Sequence, residues 1–187
     1  APSDPVCNGI VDIMANATDN EEIRSLQIFI NDNIAKTCDL NNTFSAECIY
    51  STEVCGNVTY YVIATDASGN IGRDPAEGAK SFFARDITPP NIQYVYHTPE
   101  NPTIGQNVTI VANAADNEGI SDVKIFLDNT DVMASSYGNT YMYTAFNLSQ
   151  GNHTYYATAT DLEGNTARSP VEGVYSFVID SIDTTPI

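Results

Sequence analysis

The chain has 187 residues, with 24 acidic against 7 basic side chains and a formal net charge of -17. A polyanion repels nucleic acid and anionic membrane surfaces, so neither is expected as a partner, while cations and basic surfaces are favoured. No apolar stretch is long enough for a membrane-crossing helix, so direct membrane insertion is not expected.

The predicted elements are short strands. Val11, Ile13 and Ala15 alternate with Asp12 and Met14, which is the period of a half-buried strand. An acidic turn follows, Asp19-Asn-Glu-Glu22. Leu26, Ile28 and Ile30 form a second alternating series, and Tyr60, Val62 and Ala64 a third. The turn Asp66-Ala-Ser-Gly-Asn70 then leads toward a last strand anchored by Phe82. The intervals are filled by Asn, Asp, Gly and Pro, the turn formers. The same order returns with Val108, Ile110 and Ala112, the turn Asp116-Asn-Glu118, and Val123, Ile125 and Leu127. Tyr155, Ala157 and Ala159, the turn Asp161-Leu-Glu-Gly-Asn165, and Phe177 complete it. No window carries a helical stripe.

This order is a duplication. Asp19-Asn-Glu-Glu-Ile23 recurs as Asp116-Asn-Glu-Gly-Ile120, and Gly56-Asn-Val-Thr-Tyr-Tyr61 as Gly151-Asn-His-Thr-Tyr-Tyr156. The offset is 97 residues for the first pair and 95 for the second, the size of a whole domain rather than of a solenoid repeat. Domain boundaries are predicted at 1–86 and 87–187. The join, Asp86-Ile-Thr-Pro-Pro90, is stiffened by its prolines. About seven short antiparallel strands per copy predict an all-β chain of two β-sandwiches. Tyr60 and Tyr155 begin the penultimate strand, where a tyrosine corner stands in such folds; an ordinary core tyrosine is the other reading.

The copies differ at their flanks. Asn91-Ile-Gln-Tyr-Val-Tyr96 gives copy two a first strand. Copy one has only Ala1-Pro-Ser-Asp-Pro5 ahead of the equivalent position, so its first strand is expected to be missing. Ser181-Ile-Asp-Thr-Thr-Pro-Ile187 begins to repeat the join and then stops. An unpaired edge is a template for another chain. The tail of one molecule laid on copy one of the next would build a head-to-tail fibre. An excerpt from a longer array explains the same flanks.

All four cysteines, Cys7, Cys38, Cys48 and Cys55, lie in copy one. An even number without a CxxC spacing reads as two disulfides in an oxidising exterior rather than a metal site, with buried free thiols as the alternative. Six Asn-X-Ser/Thr sequons, at Asn16, Asn41, Asn57, Asn107, Asn147 and Asn152, fit N-linked glycans on an exterior protein. Turn chemistry or strand threonines explain each of them singly.

No catalytic constellation appears. His97 and His153 have no converging Ser/Asp partners, and there is no phosphate loop, nucleophile elbow or zinc spacing, so an enzyme is not expected. The acidic turns are the one metal candidate. In a sandwich the turn after the second strand and the turn before the last strand share an end. The join carboxylate is expected at that end of copy two. Asp86, Asp116, Glu118 and Asp161 therefore form a candidate calcium set, since calcium takes roughly six to eight oxygen ligands. Solvated turns in which Asp and Asn cap themselves explain the same residues.

The runs Ile-Phe-Ile-Asn-Asp at 28–32, Thr-Tyr-Tyr-Val-Ile-Ala-Thr-Asp-Ala-Ser-Gly-Asn at 59–70 and Asp-Ile-Thr-Pro-Pro at 86–90 resemble tandem immunoglobulin-like (fibronectin type III-like) repeats of archaeal and bacterial extracellular surface proteins. The resemblance spans nearly the whole chain. It implies two tandem immunoglobulin-like β-sandwiches outside the cell, in a cell-surface filament, surface layer or adhesin stalk. The implied partners are further copies of the chain or neighbouring repeats. Lys36-Thr-Cys38 followed by Cys48 resembles a pair in archaeal versions, which implies Cys38 with Cys48 and leaves Cys7 with Cys55. Cys48–Cys55 with Cys7–Cys38 is the alternative pairing. Two other roles compete: a module binding a glycan or protein, with Tyr141 and Tyr143 as sugar-stacking candidates, and a spacer of a larger secreted enzyme.

Overall fold

The computed structural model describes Pro5–Ser181, with the side chains of Asn41 and Asn42 left out. The chain divides into two compact units, Ala1–Ile87 and Thr88–Ile187, one residue later than the boundary expected from the repeat.

Unit 1 contains β1 (Ile10–Ile30), β2 (Asn33–Glu53), β3 (Gly56–Asp66), β4 (Ile71–Asp74) and β5 (Lys80–Ala84). Their order is β2-β1-β3-β4, with β5 also on β3. β1 and β2 make one long antiparallel hairpin. Its two-residue turn, Asn31-Asp32, has φ of 48° and 63°, the left-handed pair that matches strand twist. Register shifts between Thr18 and Ser25 bend the hairpin. Its outer half, Ile10–Thr18, is then laid over the half that pairs with β3. Alternation decides what is buried: Val11, Ile13 and Ala15 face inward and share a core with Leu26, Ile28, Val62 and Phe82. Each such aliphatic side chain removed from water is worth about 1.5–3 kcal/mol.

Asp19–Glu22 is a turn between two strands by sequence, but β1 runs through it. One residue accounts for the difference. Copy two has Gly119 at φ 117° where copy one has Glu22, which is not left-handed. A side chain disfavours that conformation, so only copy two makes the sharp reversal. Copy one shifts register instead, and the Glu22 carbonyl accepts from the Ala67 amide at 2.8 Å.

Unit 2 contains β6 (Asn91–Thr98), β7 (Val108–Ala115), β8 (Ile120–Leu127), β9 (Thr130–Val132), β10 (Ser135–Tyr137), β11 (Thr140–Ala145), β12 (Gly151–Asp161), β13 (Thr166–Ser169) and β14 (Tyr175–Ile179). Here the layers are separate sheets, β10-β11-β7-β6 and β13-β12-β8-β9, with β14 on β12. Val108, Ile110 and Ala112 of the first layer meet Ile125, Ala157 and Phe177 of the second in a single core. Both units are immunoglobulin-like β-sandwiches.

Candidate functional site

The site is the outer edge of β1. In unit 2, β7 is paired on both sides, with β11 on one and β6 on the other. In unit 1 the equivalent segment, Ile10–Thr18, pairs with β2 alone among the described residues. Just beyond, the two units coincide again. Val6 bridges Arg85 as Thr103 bridges Asp180, both in parallel. Cys7 N–H donates to the Arg85 carbonyl as Ile104 N–H does to that of Asp180, each at 2.9 Å. The scaffolds therefore match up to the place where β6 would stand.

The side chains along that edge are less covered than their counterparts in unit 2. In unit 2, His97 of β6 stacks on Phe177 with ring centroids 4.8 Å apart and accepts from the Tyr155 hydroxyl through Nδ1 at 3.0 Å. Tyr155 and Phe177 are 4% and 5% exposed. Their counterparts Tyr60 and Phe82 are only half-buried, beside an opening of about 150 Å³ lined also by Val11 and Ile13. Further along, Ile92 of β6 packs against Ala114, Val123 and Ala159. The equivalent region of unit 1 is a cavity of about 450 Å³, lined by Ala17, Leu26, Ala64, Arg73 and Asp74 among others.

Two disulfides brace this unit. Cys38–Cys48 joins the two halves of β2, and so ties the folded-over hairpin to the layer beneath it. Cys7–Cys55 fixes the segment ahead of β1 to the connection between β2 and β3. Unit 2 has no cysteine.

The acidic turns are clasps. Asp66 Oδ1 accepts from the Asn70 amide at 2.7 Å and Oδ2 from Asn70 Nδ2 at 2.6 Å. Asp161 repeats this with Asn165 at 2.8 and 2.7 Å, and also takes the Glu163 amide at 2.9 Å. The Asn70 side chain, then backbone amides, hold the Asp66 carboxyl below its ordinary value despite burial. At Asp161 burial pushes upward, but hydrogen bonds from Asn165, Glu163 and Gly164 outweigh it and the shift is downward. Asp116 Oδ1 caps the amides of Glu118 and Gly119 at 2.9 and 3.2 Å. Within unit 2, Asp116 and Glu118 occupy the β7–β8 turn and Asp161 the β12–β13 turn, at one end of the sandwich. Glu163, which the sequence set did not include, brings a carboxylate within 4.8 Å of that of Asp161. Asp86 belongs to unit 1.

His153 is buried and meets two acceptors, Asp128 Oδ2 at 2.7 Å through Nδ1 and the Ser149 carbonyl at 2.9 Å through Nε2. Both acceptors are satisfied together only when both nitrogens donate, as they do in the imidazolium form. Burial opposes the charge, yet the Asp128 hydrogen bond, the Ser149 carbonyl and attraction to Asp128 raise its pKa. The pair braces a turn, since Asp128 Oδ1 also takes the Thr154 amide at 2.8 Å. Tyr155 is a core tyrosine whose hydroxyl bonds a side chain, His97, rather than the backbone bond of a tyrosine corner. Tyr141 and Tyr143 are partly buried and pack against the core. The sequons at Asn16, Asn57, Asn107, Asn147 and Asn152 are all exposed. Sequence reasoning passed over Arg73 and Arg168, which lie at the same offset as the third strand series. Each guanidinium sits 4.1 Å from a tyrosine ring, Tyr61 or Tyr156, itself stacked on Phe29 or Phe126.

Residues 97–157 match the bacterial Ig domain family. No curated protein sequence matches the chain. Among solved structures, the amphioxus IgVJ-C2 molecule is similar at a TM-score of 0.56 and 13% identity, over 94% of this chain and 98% of that one. The ICAM-5 D1-D4 ectodomain fragment is similar at a TM-score of 0.52 and 10% identity, over 97% of this chain and 52% of that one. The fibronectin(III)-like modules of Clostridium thermocellum CbhA align at 14% identity and a TM-score of 0.44, over 100% of this chain and 95% of theirs. Identities this low speak for the fold alone: the chain is made of immunoglobulin-like modules. Modules of this class are typically non-catalytic. With the bacterial Ig match and two disulfides, the chain fits an extracellular structural or adhesion module.

Proposed function

We propose that the chain is a non-catalytic, glycosylated building block of a cell-surface filament, surface layer or adhesin stalk, joined to its neighbours by strand complementation at unit 1. The observation that carries this reading is the one-sided pairing of Ile10–Thr18, where unit 2 has β6. An unpaired strand edge leaves backbone donors and acceptors open to another chain, and a heterologous contact of this kind propagates without closing. The partner in this reading is a second copy, whose tail repeats the sequence leading into β6; positions 182–187 of that tail lie outside the described residues. Exposure of five sequon asparagines supports N-linked glycans on the outer surface; Asn41 is the sixth candidate. Calcium is proposed as an accessory ligand of the acidic residues Asp86, Asp116, Glu118 and Asp161, on the strength of their hard oxygen chemistry alone.

Electron microscopy and sedimentation of the native protein at rising concentration test the assembly. Filaments or an oligomer ladder are expected. Discrete particles of one 20.2-kDa chain at every concentration would remove the assembly from this reading. For calcium, the melting midpoint with added ion is compared with that in chelator. An unmoved midpoint, with no metal in the native mass spectrum, removes the ion.

A further inference from the structure

We infer that the outer face of the β10-β11-β7-β6 sheet in unit 2 binds a neutral oligosaccharide, an activity separate from the strand edge of unit 1. These four strands contain no Asp, Glu, Lys or Arg, in a chain with 24 acidic side chains. Val95, Ile110, Tyr141 and Tyr143 pack on the core, so the alternate residues of their strands face outward. Tyr96, Val111 and Met142 stand abreast on β6, β7 and β11. Tyr94, Asn113, Thr140 and Tyr137 form the next row. The Tyr94 and Tyr96 rings are neighbours, with centroids 5.7 Å apart. Tyr94, Tyr96 and Tyr137 are 44%, 48% and 85% exposed. Hydroxyls and an amide lie among the rings: Thr109 Oγ1 is 2.9 Å from Thr144 Oγ1, and Asn113 Nδ2 donates to Thr140 Oγ1 at 3.3 Å.

The sandwich itself does not demand such a face. At the 97-residue offset Asp12 stands in unit 1 where unit 2 has Thr109, and the strand beside it adds Glu47 and Glu53. The opposite sheet of unit 2 carries Asp122, Lys124, Asp131 and Arg168. Charge and area then choose the occupant. A basic partner is drawn to the acidic surfaces and gains nothing from the face that lacks them. A second copy of the chain carries the same charge of -17 and is repelled. The outward positions of four such strands cover roughly 350 Å², against about 800 Å² per partner in a stable protein interface. A neutral sugar needs neither charge nor that area. Its C–H groups pack on tyrosine rings, whose faces are electron-rich, and its hydroxyls exchange hydrogen bonds with the Thr and Asn side chains between them.

The test exposes the full 187-residue chain to an array of neutral and acidic glycans and follows the neutral members by calorimetry. Neutral oligosaccharides should bind, and Tyr94→Ala and Tyr96→Ala should each weaken them by about fivefold or more. Tyr137→Ala removes the most exposed of the three rings, so it tests the face without disturbing the packing of the unit. Met14→Ala, at the counterpart of Val111 in unit 1, should change nothing. Failure of every neutral glycan to bind, or binding untouched by all three tyrosine variants, overturns the inference. Equal binding of acidic glycans overturns it too, because the lack of charge then selects nothing. A dimer in sedimentation that Met142→Lys disperses assigns the face to a second copy and overturns the sugar. Asn107 stands one residue ahead of β7 and opens a sequon. If Tyr94 and Tyr96 become open to nitration only in Asn107→Gln, a glycan of the chain itself covers the face, and an external sugar is overturned.

Discussion

In unit 2 the first layer is a four-stranded sheet closed by β6; in unit 1 the same layer is the folded-over half of one hairpin. The two are equivalent residue by residue through Val11 and Val108, Ile13 and Ile110, Tyr60 and Tyr155, and Phe82 and Phe177. What separates them is how the core is shut. Unit 2 shuts it with a strand, whose side chains cover the aromatic pair, and unit 1 holds its layers with covalent ties. A strand contributes burial and ladder hydrogen bonds to the folded state, whereas a disulfide acts mainly by restricting the unfolded chain. In unit 1 the edge along Ile10–Thr18 pairs with β2 alone among the described residues.

The largest test of that contrast is reduction. Opening both disulfides should cost unit 1 about 2–4 kcal/mol for each bond and leave unit 2 unchanged. Urea unfolding followed by circular dichroism, with and without reductant, should show one transition moving and one fixed. Equal movement of both would mean that the two units do not unfold independently. Next in size is a paired truncation. Phe177→Ala removes a ring that is 5% exposed and packed on His97, His153 and Tyr155, and should cost unit 2 about 3–5 kcal/mol. Phe82→Ala at the half-covered counterpart should cost less than about half of that, because part of the ring already meets water. Equal losses would show that unit 1 is closed as fully as unit 2.

Much of this was legible in the residues. The alternation at Val11, Ile13 and Ala15 and at Val108, Ile110 and Ala112 marks strands because side chains on a strand point to opposite faces in turn. The first strand of copy two was readable from the run Asn91-Ile-Gln-Tyr-Val-Tyr96. The fusion of two strands into β1 was not, since Asp19-Asn-Glu-Glu22 has turn composition and differs from its counterpart by one glycine. The carboxylates were legible as a cluster of charge but not in their work. Asp66 and Asp161 are engaged by Asn70 and Asn165 four residues on, a local geometry that composition does not reveal. The role of His97 was hidden for another reason: its partners Tyr155 and Phe177 lie far along the chain, and only the sandwich brings them to it.

His97→Ala makes unit 2 resemble unit 1 at that seat. The Tyr155 hydroxyl, buried and bonded to His97, loses its partner, and the Phe177 ring loses its cover. A buried polar group left unpaired costs about 1–3 kcal/mol, so the unit 2 transition should fall by that amount with unit 1 unaffected. A new opening next to Phe177, detected by binding of a small apolar dye, would complete the likeness. An unchanged unit 2 midpoint would mean that β6 closes the sheet through its backbone alone.

The smallest expected effect is one of pH, and it separates the units because their hairpin turns differ by charge. Unit 2 places Asp128 under His153, whereas unit 1 has Asn31 and Val58 at these positions, and Asn31 still takes the Thr59 amide at 2.9 Å. Burial opposes the imidazolium of His153, but Asp128 and the Ser149 carbonyl raise its pKa above the ordinary 6.5. A raised cation contributes its full stabilisation below the unfolded value and loses it as pH climbs through the folded one. Burial likewise opposes the Asp128 carboxylate, but hydrogen bonds from His153 and Thr154 lower its pKa below the ordinary 3.8. That contribution is present above the unfolded value and fades as pH falls through the folded one. The pair therefore stabilises unit 2 across the range between, and its loss on the alkaline side should appear from about pH 6.5 upward. Melting curves from about pH 6 to about pH 9 should show the unit 2 midpoint falling relative to that of unit 1. Asp128→Asn, which installs the residue unit 1 uses, should flatten the difference. Parallel midpoints in the unaltered chain would show that the His153 charge contributes nothing to holding the turn.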